Sequence, residues 1–485
     1  MFKRNLLISI STLVLFSGFV LSTAAQYPSQ QELEKLSQEE WNNQIRREKF
    51  DIVLPRAMRQ HNVDMWIHVM RNSIRDPFGE NDLGSASGVF VFTDRGEDRI
   101  ERAVLGRRWG ATQRQRGEGN INFLKECGAY DIIRDPVFVV EPISSPMTEY
   151  DFRFKGLREF VEARDPKVIA VNYRENLGPW ATETEVNDGI SLTDYRLLCQ
   201  ELGEKFAGRI VSSEYVMMTY QVSPVPSEVK LLKRMRKDEL ELVEKSFANI
   251  KKGVTKTADL ENTGNWEVDV VAFRRMKTGQ SQRGRSAGWE DAVVEGGDII
   301  AAPSQGMFAY VLRDGETKAP PEAQRLFEEY LKIDRIFAES IKAGLTSRKI
   351  MEEFHRRFEE AGIIVKPPQM HMIQPKNNFP FYSMGCDPEK TIISIDLHGK
   401  GMGATARKHD IYLGPRMGSY GPDWIFDIPL SANHHFVLEY FFYMPSPGPE
   451  GKDQYLFFWN HEQAIATENG VEYLSPPQKE LILIK

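Results

Sequence analysis

Beyond residue 26 the chain has no apolar run long enough to cross a membrane, so no segment of the mature sequence is expected to span one. Cysteine is scarce. Cys127, Cys199 and Cys386 are odd in number and widely spaced in 485 residues, which excludes a disulfide framework and a Cys-ligated zinc site. They are expected to be buried thiols, with one adventitious disulfide open to an exported protein. An excess of positive charge is also missing: the formal net charge is −7, and nucleic acid is excluded as an expected partner. There is no Gly-Lys-Ser/Thr phosphate loop, no His-Glu-x-x-His pair and no repeat at the short periods of solenoids or propellers.

What is present is the composition of a folded protein. Hydrophobic residues at 41% and charged residues at 27% exclude both a disordered and a fibrous chain, and at about one domain per 150 residues two or three domains fit. Lys3 and Arg4 precede an apolar run over 6–21, and Ser22-Thr23-Ala24-Ala25-Gln26 offers small residues for a cut before Gln26. Residues 1–25 therefore read as a secretory signal, with an uncleaved anchor as the alternative. No Cys follows the cut to carry a lipid. The segment holds those two cations and no acid, so its removal takes the net charge from −7 to −9.

Helical spacing over 30–48 leads to a strand at 65–68. Strands at 88–93, 137–140, 168–172 and 209–213 then alternate with helices at 157–164 and 195–206, which predicts an α/β layer. Gln221-Val222-Ser223-Pro224-Val225-Pro226-Ser227 cannot supply a full ladder of N–H donors and suits a connector, dividing an amino domain, 26–224, from a carboxy domain, 225–485. Ser227 is placed to cap a helix over 228–250. The polar stretch 255–297, basic between Arg274 and Arg285, has no assigned role. A hairpin is expected from 297–302 and 307–312, then helices over 321–343 and 347–361.

Chemistry concentrates late in the chain. Ile395-Asp396-Leu397-His398-Gly399-Lys400-Gly401-Met402-Gly403, with Lys408-His409-Asp410 after it, sets two histidines and three glycines behind an apolar strand. Gly399-x-Gly401-x-x-Ala404 with Asp423 has the form of a dinucleotide fingerprint, but Gly414, Pro415, Gly418, Gly421 and Pro422 break the helix such a loop must open. Gly284-Arg285-Ser286-Ala287-Gly288 has the form of a nucleophile elbow without the preceding apolar strand. Glu439 lies between Phe436-Val437-Leu438 and Tyr440-Phe441-Phe442, and a carboxylate buried there needs a partner or a shifted pKa.

In segment order the chain resembles the pita-bread metallopeptidases: prolidase, aminopeptidase P and methionine aminopeptidase, with creatinase as a metal-free relative. The resemblance rests on Pro166-Lys167-Val168-Ile169-Ala170-Val171-Asn172, Asp188-Gly189-Ile190-Ser191, Leu202-Gly203 and Val211-Ser212-Ser213 in the amino half. In the carboxy half it rests on Gly297-Asp298, the helix after Pro321, residues 398–410, Phe436-Val437-Leu438-Glu439 and residues 462–474. It implies an α/β amino domain followed by an α+β pita-bread carboxy domain, a curved antiparallel sheet backed by helices. Active members hold two divalent ions with two Asp, one His and two Glu, and bound water attacks the substrate. The resemblance implies Asp314, Glu439 and Glu462 as metal ligands, with Pro303 and Met402 standing where an Asp and a His are expected. Proline offers no side-chain donor and a thioether suits hard ions poorly. The substrate-facing His expected between Gly253 and Asp298 has no counterpart.

By resemblance His398 and His409 are the catalytic residues. One divalent cation, manganese or zinc, or none, is the cofactor expectation. Three readings follow: a hydrolase of a peptide or small-molecule C–N bond, Xaa-Pro dipeptides first; a catalytically inactive protein binding peptides or small molecules in the same cleft; or an ordinary dimetal peptidase whose lost ligands are supplied elsewhere. The expected partners are a small peptide or small-molecule substrate and a second copy of the chain, with no nucleic acid and no membrane after signal removal. The expected location is periplasmic or extracellular.

Overall fold

Ser37 starts the first long helix, Gln38–Glu48, by a reciprocal cap in which its hydroxyl accepts the Glu40 N–H and the Glu40 carboxylate accepts the Ser37 N–H. Trp41 and Ile45 point this helix's apolar stripe inward, and both are buried. The computed structural model describes residues 27–70, 76, 78–84, 87–96, 99–105, 108–110, 124–134, 137–139, 154–175, 189–260, 263, 268, 270–273, 276–277, 292–365, 389–401, 409–411, 417–418, 426–446 and 454–485. The signal-like residues 1–25, Met402, Cys386, Asp423, residues 284–288 and all but two residues of the basic stretch lie outside these. Cys127 is buried and Cys199 half-buried, and both are free thiols.

In the amino half β1 (Met65–Met70), β2 (Gly88–Asp94) and β3 (Ile100–Leu105) form an antiparallel meander. β4 (Arg108–Gly110) pairs with β6 (Val137–Val139) apart from it. β5 (Ile132–Ile133), β7 (Ile169–Val171) and β8 (Ile210–Ser212) add to the meander in parallel, giving the order β5-β3-β2-β1-β7-β8. Strand alternation sends Trp66, Phe90, Phe92 and Val104 into one core and Ile67, Val69, Val89 and Val91 into another. A parallel element needs cover on both faces, and here both faces have it.

The connector leads into the helix Pro226–Asn249, with proline in its first turn, where a missing N–H costs nothing. The Glu228 carboxylate accepts the Val225 N–H, while Ser227 turns its hydroxyl to Glu48 Oε1 at 2.5 Å instead of capping. The buried Lys49 ammonium lies 3.4 Å from Glu228, whose carboxyl burial pushes up to about 7 against the pull of Lys49. Trp41 Nε1 donates to Ser227 O at 3.0 Å and the His435 N–H to Val222 O at 2.8 Å. The seam between the halves is thus buried, with these polar links beside an apolar core that Leu231, Leu232, Ile465 and Leu474 share with Trp41 and Tyr220.

In the carboxy half β9 (Val271–Phe273), β11 (Ile299–Ala302), β12 (Met307–Val311) and β20 (Ile482–Ile484) form a small sheet, β20-β12-β11-β9. β11 and β12 are the predicted hairpin. The larger sheet runs β10-β18-β17-β14-β13, from β10 (Met276–Lys277), β18 (Gln454–Thr467), β17 (His435–Pro445), β14 (Ile392–Gly401) and β13 (Ile364–Val365). β15 (His409–Ile411) and β16 (Met417–Gly418) pair with β14, and β19 (Gly470–Tyr473) with β18. Phe436, Leu438, Tyr440 and Phe442 of β17 and Ile393, Ile395 and Leu397 of β14 share one core with Phe337, Phe354 and Phe358 of the helices Pro321–Ser340 and Ser347–Glu360. Each such side chain contributes about 1.5–3 kcal/mol by leaving water, enough to hold the two helices on that face. The α/β amino half and α+β carboxy half are those expected. The opposite face of β14, β17 and β18 is polar in its middle, while Ile465 of β18 packs on it into the core of the amino half.

Candidate functional site

That other face is built by register. His398 lies opposite Val437 in the β14–β17 ladder, and Glu439 lies opposite His461 in the β17–β18 ladder. Residues opposite one another share a face, as do residues two apart on a strand, so His398, Glu439 and His461 all project to the same side. His398 Nε2 is 3.3 Å from Glu439 Oε2, the two imidazole centroids are 5.7 Å apart, and one ligand atom from each of the three residues lies within 4.8 Å of the others. His398 is fully buried, His461 is half-buried, and 23% of the Glu439 side chain reaches solvent. His398 Nδ1 sits 3.0 Å from Gly399 O. A carbonyl only accepts, so Nδ1 carries the proton and the Nε2 lone pair is aimed at Glu439 in the neutral ring.

Of the residues expected to bind metal, only Glu439 stands in this cluster. Asp314 lies in the turn after β12, with 99% of its side chain exposed, and its carboxylate accepts from Lys252 Nζ at 2.6 Å, which holds its carboxyl below the usual range. β12 ends at Val311 and the chain turns outward before reaching Asp314. Glu462 lies opposite Leu438, and therefore on the helix-covered face. There Arg236 Nη2 donates to it at 3.2 Å, and Arg236 Nη1 donates to Ser304 O at 2.6 Å and Glu239 Oε2 at 3.4 Å. Burial pushes the Glu462 carboxyl up to about 8, opposed by Arg236 and assisted by Asp334. Gly306, at φ +63, closes the turn Pro303–Gln305 against it; a Cβ there would lie 2.3 Å from Glu462 Oε2. Pro303 is buried in that turn and brings no donor atom.

His409 is held on β15 opposite Gly401, close in the ladder to His398, but its side chain is outside the described residues, as is Met402. His461 is the member of this cluster that sequence offsets do not find. Counting along the chain selects Glu462, whereas the residue that faces Glu439 across the ladder is its neighbour. The only sequence signal is the pairing of 439 with 461, and that is a property of the sheet. Two bridged cations need carboxylates that converge. Asp314 and Glu462 diverge from Glu439, so the dimetal set implied by resemblance does not fit these residues.

No protein-family model matches the chain, and no curated protein does. Among solved structures it is similar to the X-Pro aminopeptidase from Thermotoga maritima MSB8 at 15% identity and TM-score 0.48, over 88% of this chain and 100% of that one. The Xaa-Pro dipeptidase from Bacillus anthracis gives 14% and 0.48, over 90% and 99%. The N-terminal domain of FACT complex subunit SPT16 from Cicer arietinum (chickpea) gives 12% and 0.45, over 91% and 97%. This chain is thus similar in overall arrangement to pita-bread peptidases and to a FACT subunit domain alike, and what its site does is read from its own residues.

Proposed function

We propose that the chain is a hydrolase of a peptide or small-molecule C–N bond, working at His398, Glu439 and His461. The observation that carries this is the convergence of two imidazoles and one carboxylate, from three adjacent strands, on the face opposite the helices Pro321–Ser340 and Ser347–Glu360. Glu439, with 23% of its side chain exposed, takes a proton from water. The water oxygen bonds to the carbonyl carbon, protonated His461 gives its proton to the leaving nitrogen as the C–N bond breaks, and the proton held by Glu439 passes to His461, so water adds across the bond and both groups are restored. His398, tied to Gly399 O through Nδ1–H, orients Glu439 at 3.3 Å in its imidazolium form, in which Nε2–H donates to the carboxylate. The motif order of the sequence makes Xaa-Pro dipeptides the first substrates to try, with creatine-like amidines second. The proposal extends to an exported homodimer.

Turnover of both substrate classes by the purified chain, with and without added manganese or zinc, tests the reading. Hydrolysis of one substrate that falls at least about a hundredfold in Glu439→Gln supports it; no turnover above buffer across the panel counts decisively against it. A second reading, a cleft that binds without cleaving, is favoured by the donor-free Pro303 and by the outward and backward orientations of Asp314 and Glu462. Thermal stabilisation by a prolyl peptide without turnover would support that reading.

A further inference from the structure

We infer that His398, Glu439 and His461 form a binding site for a single divalent transition-metal ion of the zinc class, in place of the two hard ions of the peptidases the sequence resembles. The inference rests on the same cluster as the hydrolase reading. It concerns binding alone: with an ion bound Glu439 and His461 are ligands, and the proton transfers given above belong to the ion-free protein, so the two fail separately.

Four observations carry it. Two imidazoles and one carboxylate are a donor set that holds zinc and leaves one position open for water or substrate. Ligand atoms around a tetrahedral zinc at about 2.0–2.1 Å stand roughly 3.3 Å apart; the His398–Glu439 pair is at 3.3 Å, and the three donors together span no more than 4.8 Å. Closing the set around one ion therefore asks for a contraction of about 1.5 Å at most. The Nδ1–H of His398 is fixed on Gly399 O at 3.0 Å, the outer hydrogen bond that orients a ligating imidazole and raises its basicity. Finally, all three residues stand on strands of one sheet, with Glu439 and His461 directly paired, so the backbone is set before any ion arrives.

The donor chemistry also sets the preference. Imidazole nitrogen suits zinc, cobalt and copper, whereas manganese and magnesium favour oxygen. The three converging donors fill three of the four positions of one tetrahedral ion, which sets the expected stoichiometry at one.

The test uses the full chain, stripped with chelator and titrated with zinc or cobalt(II), with bound metal read by elemental analysis and cobalt coordination by visible absorption. One equivalent is expected, with a cobalt spectrum of low coordination number. His461→Ala and Glu439→Ala should each weaken binding by roughly a hundredfold, and Asp314→Asn should leave it unchanged. Manganese should bind at least about tenfold more weakly than zinc. Circular dichroism checks that the variants fold; His461→Gln and Glu439→Gln replace any that do not, and a zinc-dependent rise in the Tm of the unaltered chain gives a readout free of mutation. Binding of no stoichiometric ion, an affinity indifferent to His461 and Glu439, or a second equivalent lost in Asp314→Asn overturns the inference. Turnover without a stoichiometric ion overturns it and spares the hydrolase reading; one bound ion without turnover does the reverse.

Discussion

Glu439 and Glu462 stand on neighbouring strands of one sheet and face opposite ways. On one side Glu439 keeps 23% of its side chain exposed between two imidazoles. On the other, Glu462 keeps 3%, closed in by Arg236, the turn ending at Gly306 and the tyrosines that line the helix-covered face. A carboxylate that reaches water can exchange protons and ligands, whereas one sealed against a guanidinium ties elements together. The same residue type is thus placed for proton and ligand exchange on one face and for cohesion on the other, and environment alone separates the two.

The largest expected effect lies on the sealed face. Arg236→Ala leaves Glu462 and Glu239 buried without their cation, and unfolding in urea should show a loss of about 3–5 kcal/mol. A loss below about 1 kcal/mol would show that this face is not sealed. On the open face Glu439→Gln should reverse the pattern. Turnover should drop about a hundredfold or more, with stability within about 0.5 kcal/mol of the unaltered chain. If Glu439→Gln unfolds the protein as readily as Arg236→Ala, the contrast collapses.

A third experiment uses a histidine at the rim of the covered face. His434 is fully buried, stacked on Phe436 and near Arg56, and burial, then Arg56, pushes its pKa from 6.5 down to about 3. The folded ring stays neutral while the unfolded one takes a proton below pH 6.5, so this contribution is fully present above pH 6.5 and is lost as pH falls. Between pH 7 and pH 4.5 the loss should be about 2 kcal/mol, read from urea midpoints, and His434→Leu should remove that part of the pH dependence. An unchanged pH dependence would place His434 in contact with solvent. The smallest effect is expected of Asp314→Asn, since Asp314 stands clear of both faces. Neither turnover nor the unfolding midpoint should move, and a fall in turnover would return Asp314 to the site.

Much of the fold was legible because apolar spacing follows from backbone geometry. The hairpin of β11 and β12 and the helices Pro321–Ser340 and Ser347–Glu360 fall where the spacing predicts. The first of these helices stops short of the predicted 343, because Ile341 turns to an extended conformation at φ −82 and ψ 117, and Gly344 serves the following turn at φ +87. Ser227 was readable as a cap only while its neighbours were unknown; Glu48, 179 residues earlier, takes its hydroxyl. The site was half legible. His398 and Glu439 are visible in the sequence as polar groups beside apolar strands, whereas nothing in the residues around His461 separates it from Glu462.

By itself, the sequence determined that β17 would bury Phe436, Leu438, Tyr440 and Phe442 on one face and turn Glu439 to the other, because side chains alternate along a strand. It also determined that Pro303 could supply no ligand. Only the tertiary structure decided which residue of β18 meets Glu439, that Arg236 crosses 226 positions to close off Glu462, and that the turn after β12 carries Asp314 into solvent. The physical reason is the two-residue period of the strand: a shift of one in register exchanges the faces, and the register is fixed by packing between segments far apart in the chain.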